Sequence, residues 1–267
     1  MSEAPIKVGM LGTGTIVGHV VCGLLRPEAV GVPLAITVSP RSKAKAEELK
    51  AKFPDRVTIA ADNQAVIDSS DVVCLGVTPQ VCESVLSEVK FREDQLVISF
   101  LSTARIEDLS RMVAPAKMVL RAIPMPPIAR GLGPLPTHPP NETFDAIFAR
   151  TGAIVALEKE DELACMMSTS AMMATYYEFE GTAHKWLVKQ GLPSKACTKY
   201  IGSLFLALAT DASNEEDGFD KIVSESQTPG GINQQVLTNL KEKEGWFEKL
   251  GAELDLILAR VTGKPKA

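Results

Sequence analysis

A short apolar run, Lys7 to Leu11, leads without a break into Gly12-Thr13-Gly14-Thr15-Ile16-Val17-Gly18, and an apolar stretch from His19 to Leu25 follows. No other feature of the chain constrains its fold as much. A Gly-x-Gly-x-x-Gly spacing is common by chance, but at the end of a strand and the opening of a helix it marks a turn that binds a dinucleotide. Gly12 permits the tight turn and Gly14 lets the backbone approach a diphosphate. The helix start adds unpaired N–H groups and the positive end of its dipole. Val17 occupies the third glycine position, so helix and strand must sit further apart, or Gly18 must relieve the contact.

The surrounding pattern agrees with that reading. Lys7–Leu11, Leu34–Ser39, Val57–Ala60, Asp71–Val77, Gln95–Phe100 and Lys117–Ala122 read as strands, while Arg41–Phe53 and Pro79–Lys90 carry apolar residues at helical spacing. Such alternation predicts βαβ units and a parallel sheet. Ile123 to Pro140 holds seven prolines and two glycines, which predicts a loop or an edge strand. A last strand, Ala153–Leu157, closes the sheet. From Glu160 to Val261 the pattern is helical nearly throughout, interrupted at Gln190–Pro193 and Ser226–Gly231. The expected architecture is α/β, with a Rossmann-type doubly wound parallel sheet over residues 1–157 and an all-helical domain over 158–267. The Lys-rich tail, Gly263 to Ala267, is expected to fray.

Composition excludes several classes. No apolar run approaches the roughly 20 residues needed to cross a bilayer, so no membrane is expected and the cytoplasm is the expected location. A net charge of −5 without a basic block argues against nucleic acid. Five cysteines without a Cys-x-x-Cys pair, mostly in apolar stretches, read as buried thiols of a reducing compartment. His19, His138 and His184 lack zinc-ligand spacing, so no metal is expected. The apolar helical stretches Ile201–Ala209 and Leu254–Val261 call for a partner surface, which predicts a homodimer or a higher homo-oligomer.

The end of the second strand selects the cofactor. A ribose 2′-hydroxyl is usually held by a carboxylate there, but this chain reads Val38-Ser39-Pro40-Arg41-Ser42, with Lys43 and Lys45 beyond. Arg41 offers a planar fork to a 2′-phosphate, and Ser39 and Ser42 offer hydroxyls, so NADP(H) is predicted. The cofactor contacts expected from the residues themselves are Gly12, Thr13, Gly14, Thr15, Ile16, Ser39, Arg41 and Ser42.

Further segments carry a resemblance. Asp62-Asn63 stands before a helix, Val77-Thr78-Pro79-Gln80 follows the fourth strand, and Arg121-Ala-Ile-Pro124-Met125-Pro-Pro127 precedes Gly131. Thr228-Pro-Gly230-Gly231 begins a helix near the C-terminus. On these the chain resembles the pyrroline-5-carboxylate reductases, which use NAD(P)H to reduce a cyclic imine acid. The resemblance implies that Asn63, Val77 and Pro79 join the cofactor contacts. It also implies that Thr228, Gly230, Gly231 and Asn233 clamp a substrate carboxylate, with Ser170 and Tyr176 as further candidates, and that the helical domains intertwine in a dimer. The departures fall in the pocket: Asn233 replaces a Thr, Met172 and Met173 stand among positions that are small in the family, and Met125 replaces an Asn. An iminium carbon accepts hydride directly once positioned, so the chemistry asks little of side chains, and the sequence offers no clear general acid.

Two other functions use the same N-terminal domain. A β-hydroxyacid dehydrogenase carries Gly-x-x-x-Lys-x-x-x-Asn on a helix, and Gly181-Thr-Ala-His-Lys185 matches half of it, with Lys189 where the Asn belongs. A non-catalytic NADP(H) sensor would keep the cofactor turn while its pocket filled with methionine.

Overall fold

The computed structural model describes residues 4–263; the tail beyond Gly263 lies outside the described residues. Two compact units result, Met1–Met167 and Ser168–Ala267.

The first unit holds one eight-stranded sheet. Strands β1 (Ile6–Leu11), β2 (Leu34–Val38), β3 (Val57–Ile59), β4 (Val72–Leu75), β5 (Leu96–Ser99) and β6 (Met118–Ala122) alternate with helices. These are α1 (Thr15–Leu25), α2 (Lys43–Lys52), α3 (Asn63–Asp68), α4 (Pro79–Ser87) and α5 (Ile106–Met112). The six strands run parallel in the order β3-β2-β1-β4-β5-β6. That order reverses between β1 and β4, and a crevice opens at the carboxyl ends of such a pair.

Burial on both faces explains why these strands are apolar runs rather than alternating ones. Val8 and Met10 of β1 meet Val17, Val20, Val21 and Leu24 of α1 on one face. Leu11 turns to the other, with Ile67 of α3 and Cys82, Val85 and Leu86 of α4. The α1 stripe has the i, i+3, i+4, i+7 spacing of a single helical face, and each such side chain contributes about 1.5–3 kcal/mol by leaving water. Pro27 ends α1 by forcing Arg26 out of the helical region, to φ −58° and ψ 149°. Asp62 caps α3 by accepting the Ala65 N–H at 2.8 Å, and Pro79 opens α4.

The proline-rich segment departs from expectation. It forms a 3₁₀ turn, Pro126–Arg130, and then β7 (Pro134–His138), which lies inside the sheet between β6 and β8 (Ala153–Ala156) rather than at an edge. Strand β7 runs antiparallel to β6 and parallel to β8. The N–H and C=O of one strand residue point to the same side, and Ile123 N–H donates to Pro136 O at 3.0 Å. Pro136 and Pro134 therefore turn their missing N–H groups toward β6, and Leu135 and Thr137 serve β8. Pairing with β6 is accordingly brief, Arg121 with His138 and Ala122 with Thr137, supplemented by Thr137 Oγ1 donating to Arg121 O at 3.0 Å. Helix α6 (Glu142–Phe148) buries Phe144, Ile147 and Phe148 in the same core as α1.

Helix α7 (Glu160–Ser170) carries the chain across the boundary between Met167 and Ser168, later than the expected one after residue 157. Its first turn belongs to the sheet unit because Glu160 pairs with Arg121 and Arg105, and Leu163 is buried. The second unit contains α8 (Met173–Lys189), α9 (Ser194–Ala212), α10 (Asp220–Glu225), α11 (Ile232–Thr238), a π-helical stretch Asn239–Lys243, and α12 (Trp246–Thr262). The breaks at Gln190–Pro193 and Ser226–Gly231 fall where expected. A further one, Asn214–Phe219, turns at Gly218 with φ +99°. Among the described residues of this unit only Ser168, Cys197 and Ile201 are buried.

Candidate active site

Gly12 follows β1 with φ +95°, and a Cβ there would lie 2.9 Å from the carbonyl of Gly76 and from Val77 Cγ1. Both conformation and space require glycine. Gly76 N–H donates to Leu11 O at 2.8 Å, so the ends of β1 and β4 are joined at the floor of the crevice. A Cβ on Gly14 would meet nothing closer than Gly76 O at 3.8 Å. The protein itself does not demand this glycine, whereas a diphosphate lying against the backbone would, and the turn fits a dinucleotide on that ground. Val17 is accommodated differently from the expectation placed on Gly18. A Cβ on Gly18 would be in open space, but one on Gly76 would lie 2.1 Å from Val17 Cγ2, so Gly76 supplies the room.

Two predicted cofactor residues face inward. Ser39 Oγ accepts the Gly12 N–H at 3.0 Å, and Thr13 Oγ1 donates to Ser39 O at 2.8 Å and lies 3.1 Å from its hydroxyl. Both side chains are buried. They build the turn rather than offer hydroxyls to a ligand. Arg41 is exposed, and among the described residues no carboxylate pairs with it. Ser42 stands before α2 without a side-chain capping bond. Thr15 and Ile16 open α1, with Ile16 half-buried against the core. Half-buried Asn63 opens α3, half-buried Val77 follows β4, and exposed Pro79 opens α4, all at the carboxyl ends of the strands.

Lys45 was missed as a site residue. Its Nζ donates to Thr15 Oγ1 at 2.6 Å, which places a cation at the start of α1. Its spacing of four from Arg41 was the available signal. Gly14, Thr15, Lys45, Lys52 and Arg130 line a groove of about 390 Å³ there.

The Thr228–Asn233 turn, expected to clamp a substrate carboxylate, closes on itself. Gly230 N–H donates to Gln234 Oε1 at 2.8 Å and Gly231 N–H to Thr228 O at 2.8 Å, so both glycine amides are engaged within the chain. The Asn233 amide donates to Ser226 O at 3.0 Å, so it braces the turn. Gly230 adopts φ +74°. Asn233, Ser226, Asp211 and Glu225 share a cavity of about 560 Å³ within the helical unit. Ser170 ends α7, and exposed Tyr176 lies in the first turn of α8. A hydrogen bond to Glu180 pushes the Tyr176 phenol up to about 12. Met172 and Met173 are exposed in this unit rather than in a core. Lys185 is engaged with Glu178 at 2.9 Å on the surface. Of the cysteines, Cys74, Cys82 and Cys197 are buried, Cys22 is half-buried and Cys165 exposed; burial pushes the Cys74 and Cys82 thiols up.

Known proteins match this arrangement. A family model described as NADP oxidoreductase, coenzyme F420-dependent, matches residues 7–103. The pyrroline-5-carboxylate reductase of Methanosarcina acetivorans is 27% identical over 159 residues, a match that spans 56% of each chain. That of Escherichia coli is 26% identical over 247 residues, covering 89% of this chain and 90% of its own. A solved Plasmodium falciparum pyrroline carboxylate reductase with NADP bound has the same fold, with a TM-score of 0.79 at 19% identity over 98% of each chain.

Proposed function

We infer that this chain belongs to the pyrroline-5-carboxylate reductase family and is an NADP-dependent oxidoreductase that reduces the carbon–nitrogen double bond of a small cyclic imine acid. The observation that carries this reading is the Gly12–Thr15 turn, backed on Gly76 at the switch point, with exposed Arg41 and not a carboxylate beyond β2. Bound NADPH supplies the hydride that adds to the imine carbon. Gly14 and the first amides of α1 hold its diphosphate, and Arg41 with Ser42 holds the 2′-phosphate, with Lys45 adding positive charge beside the turn. Val77, Pro79 and Asn63 line the remaining rim.

The Thr228–Asn233 turn takes the substrate carboxylate by exchange. Gln234 Oε1 accepts from Gly230 N–H as a carboxylate oxygen would, so a substrate anion displaces that side chain and inherits its bond. Ser170 and Tyr176 stand as secondary contacts. An iminium carbon accepts hydride without a proton donor in the transfer step, so this reading assigns no general acid. The helical unit, in which three of the described residues are buried, is completed by a second copy of the chain in a cytoplasmic homodimer or higher homo-oligomer.

The test is oxidation of NADPH, followed by its absorbance, with 1-pyrroline-5-carboxylate, its six-membered homologue and the matching keto acids. Reduction of the imines alone supports the reading. Turnover of a keto acid that depends on Lys185 would favour a hydroxyacid dehydrogenase, and tight NADPH binding without any turnover would favour a sensor.

A further inference from the structure

Arg121, near the end of β6, is 6% exposed, a rare environment for a guanidinium. Its Nη1 donates to Glu160 Oε1 at 2.9 Å, and its Nη2 donates to the carbonyls of Ser102 at 2.7 Å and Leu101 at 3.3 Å. Glu160 Oε1 also accepts the Ile106 N–H at 2.8 Å, and Oε2 lies 3.3 Å from Arg105 Nη2. Leu101 N–H donates to Ser99 Oγ at 3.2 Å. The segment between β5 and α5 is thus tied at its carbonyls by Arg121, and Glu160 holds the first amide of α5 just beyond it. Thr103 is left exposed at the tip.

An ion pair is a poor way to stabilise a buried position, because desolvation offsets most of the attraction and apolar side chains of equal volume serve as well. What the fork supplies is geometry, since it aims two successive carbonyls and one carboxylate at once. The segment's location gives that geometry a use. Phe100 N–H donates to Leu75 O at 3.0 Å, and Leu75 leads into Gly76, the residue against Gly12. The segment therefore begins one strand from the switch point, on the side away from Arg41. A dinucleotide with its diphosphate on the Gly12–Thr15 turn and its adenosine half toward Arg41 extends its other half over the ends of β4 and β5.

We propose that Arg121 is a positioning residue that, together with Glu160, holds the Leu101–Thr103 loop as the seat for the nicotinamide half of the cofactor. This rests on NADPH being the cofactor. The test compares two ligands of the full chain by calorimetry, NADPH and adenosine 2′,5′-bisphosphate, which carries the adenosine half alone. In Arg121→Met the bisphosphate should bind within about twofold of the unsubstituted chain, while NADPH should weaken by about tenfold or more, the scale of one lost aligned contact. Imine reduction should slow by about 10²-fold, as misplacement of a reacting group does. Arg121→Lys should regain only part, because a point charge cannot reproduce the fork. Glu160→Gln keeps Arg121 in place and should show the same selective loss at about three- to tenfold, which serves if Arg121→Met does not fold. Parallel weakening of both ligands, or of neither, in a folded variant overturns the proposal. Failure of the unsubstituted chain to bind either ligand overturns the cofactor assignment and the proposal with it.

Discussion

Gly76 makes room for Val17: a Cβ on the glycine would lie 2.1 Å from Cγ2 of the valine, so the two residues are complementary across the crevice floor. Gly76→Ala should destabilise the fold by about 1–3 kcal/mol, as overpacking does, and weaken NADPH binding by shifting α1. Adding Val17→Ala should restore much of the loss. Denaturant unfolding of the four chains measures the coupling, and additivity within about 0.5 kcal/mol would contradict it.

Arg41 should set the preference between cofactors. Arg41→Ala should cost about 1–3 kcal/mol for NADPH and little for NADH, because a charge-assisted bond to the 2′-phosphate is lost. Calorimetric titrations of both cofactors decide this; equal affinity of the unsubstituted chain for the two would sink it.

Gln234 accepts the Gly230 N–H at 2.8 Å, so on the proposed reading it competes with the substrate carboxylate for that amide. Gln234→Ala should therefore lower KM for an imine acid by about three- to tenfold with little change in kcat, since one hydrogen bond no longer has to be broken on binding. Gly231→Val should abolish the effect and the activity, because a Cβ there would lie 2.9 Å from Thr228 O. An unchanged or raised KM in Gln234→Ala would show that the carboxylate binds elsewhere.

The raised Tyr176 phenol, at about 12 through its bond to Glu180, fixes the sign of a pH effect. The folded chain favours the neutral phenol, so the associated stability is full below the ordinary value of about 10 and is lost as pH rises through about 12. The rate profile should show no Tyr176 limb between about pH 6 and 10, and Tyr176→Phe should keep kcat within about twofold. A drop of about 10²-fold or more would instead identify Tyr176 as a proton donor.

The helical unit should be held by self-association. Tyr200 and Leu206 of α9 are 61% and 69% exposed, and the unit has too few buried residues to be stable alone. Sedimentation at micromolar concentration should give about twice the 28.7 kDa of one chain or a higher multiple, and Leu206→Glu should shift it toward the monomer. A monomer in the unsubstituted chain would count against it.

The parallel strands and the glycine turn were legible in the sequence because buried strands are continuous apolar runs and the turn has a fixed spacing. The place of β7 was not, since proline content argues against an interior strand until it is known that both strand prolines face one neighbour. Ser39 and Thr13 were legible as polar residues in the right place, yet their hydroxyls turn inward, and residue type alone does not tell a ligand from a brace. The bond that engages the Gly230 amide was not legible for a related reason. Its acceptor, Gln234, lies four residues on, and glutamine at that position looks like any solvated helix residue. Val17 was recognised as a departure, but its relief came from Gly76, far off in sequence and adjacent only once β1 and β4 pair.

The prolines of β7 have a mechanical consequence. With no N–H groups to offer β6, they leave a perforated line across the sheet, a six-strand plate on one side and the β7–β8 flap on the other. Little backbone stitching crosses that line, and the flap is pinned by the wedge of Phe144 and Phe148, stacked at 4.5 Å, with Phe100 edge-on to Phe148 at 6.3 Å. The line runs three strand junctions away from the β1–β4 crevice. The β7–β8 flap is thus joined to the plate mainly through packed side chains, Leu135, Phe144 and Phe148 sharing one core with α1, and only sparsely through the backbone.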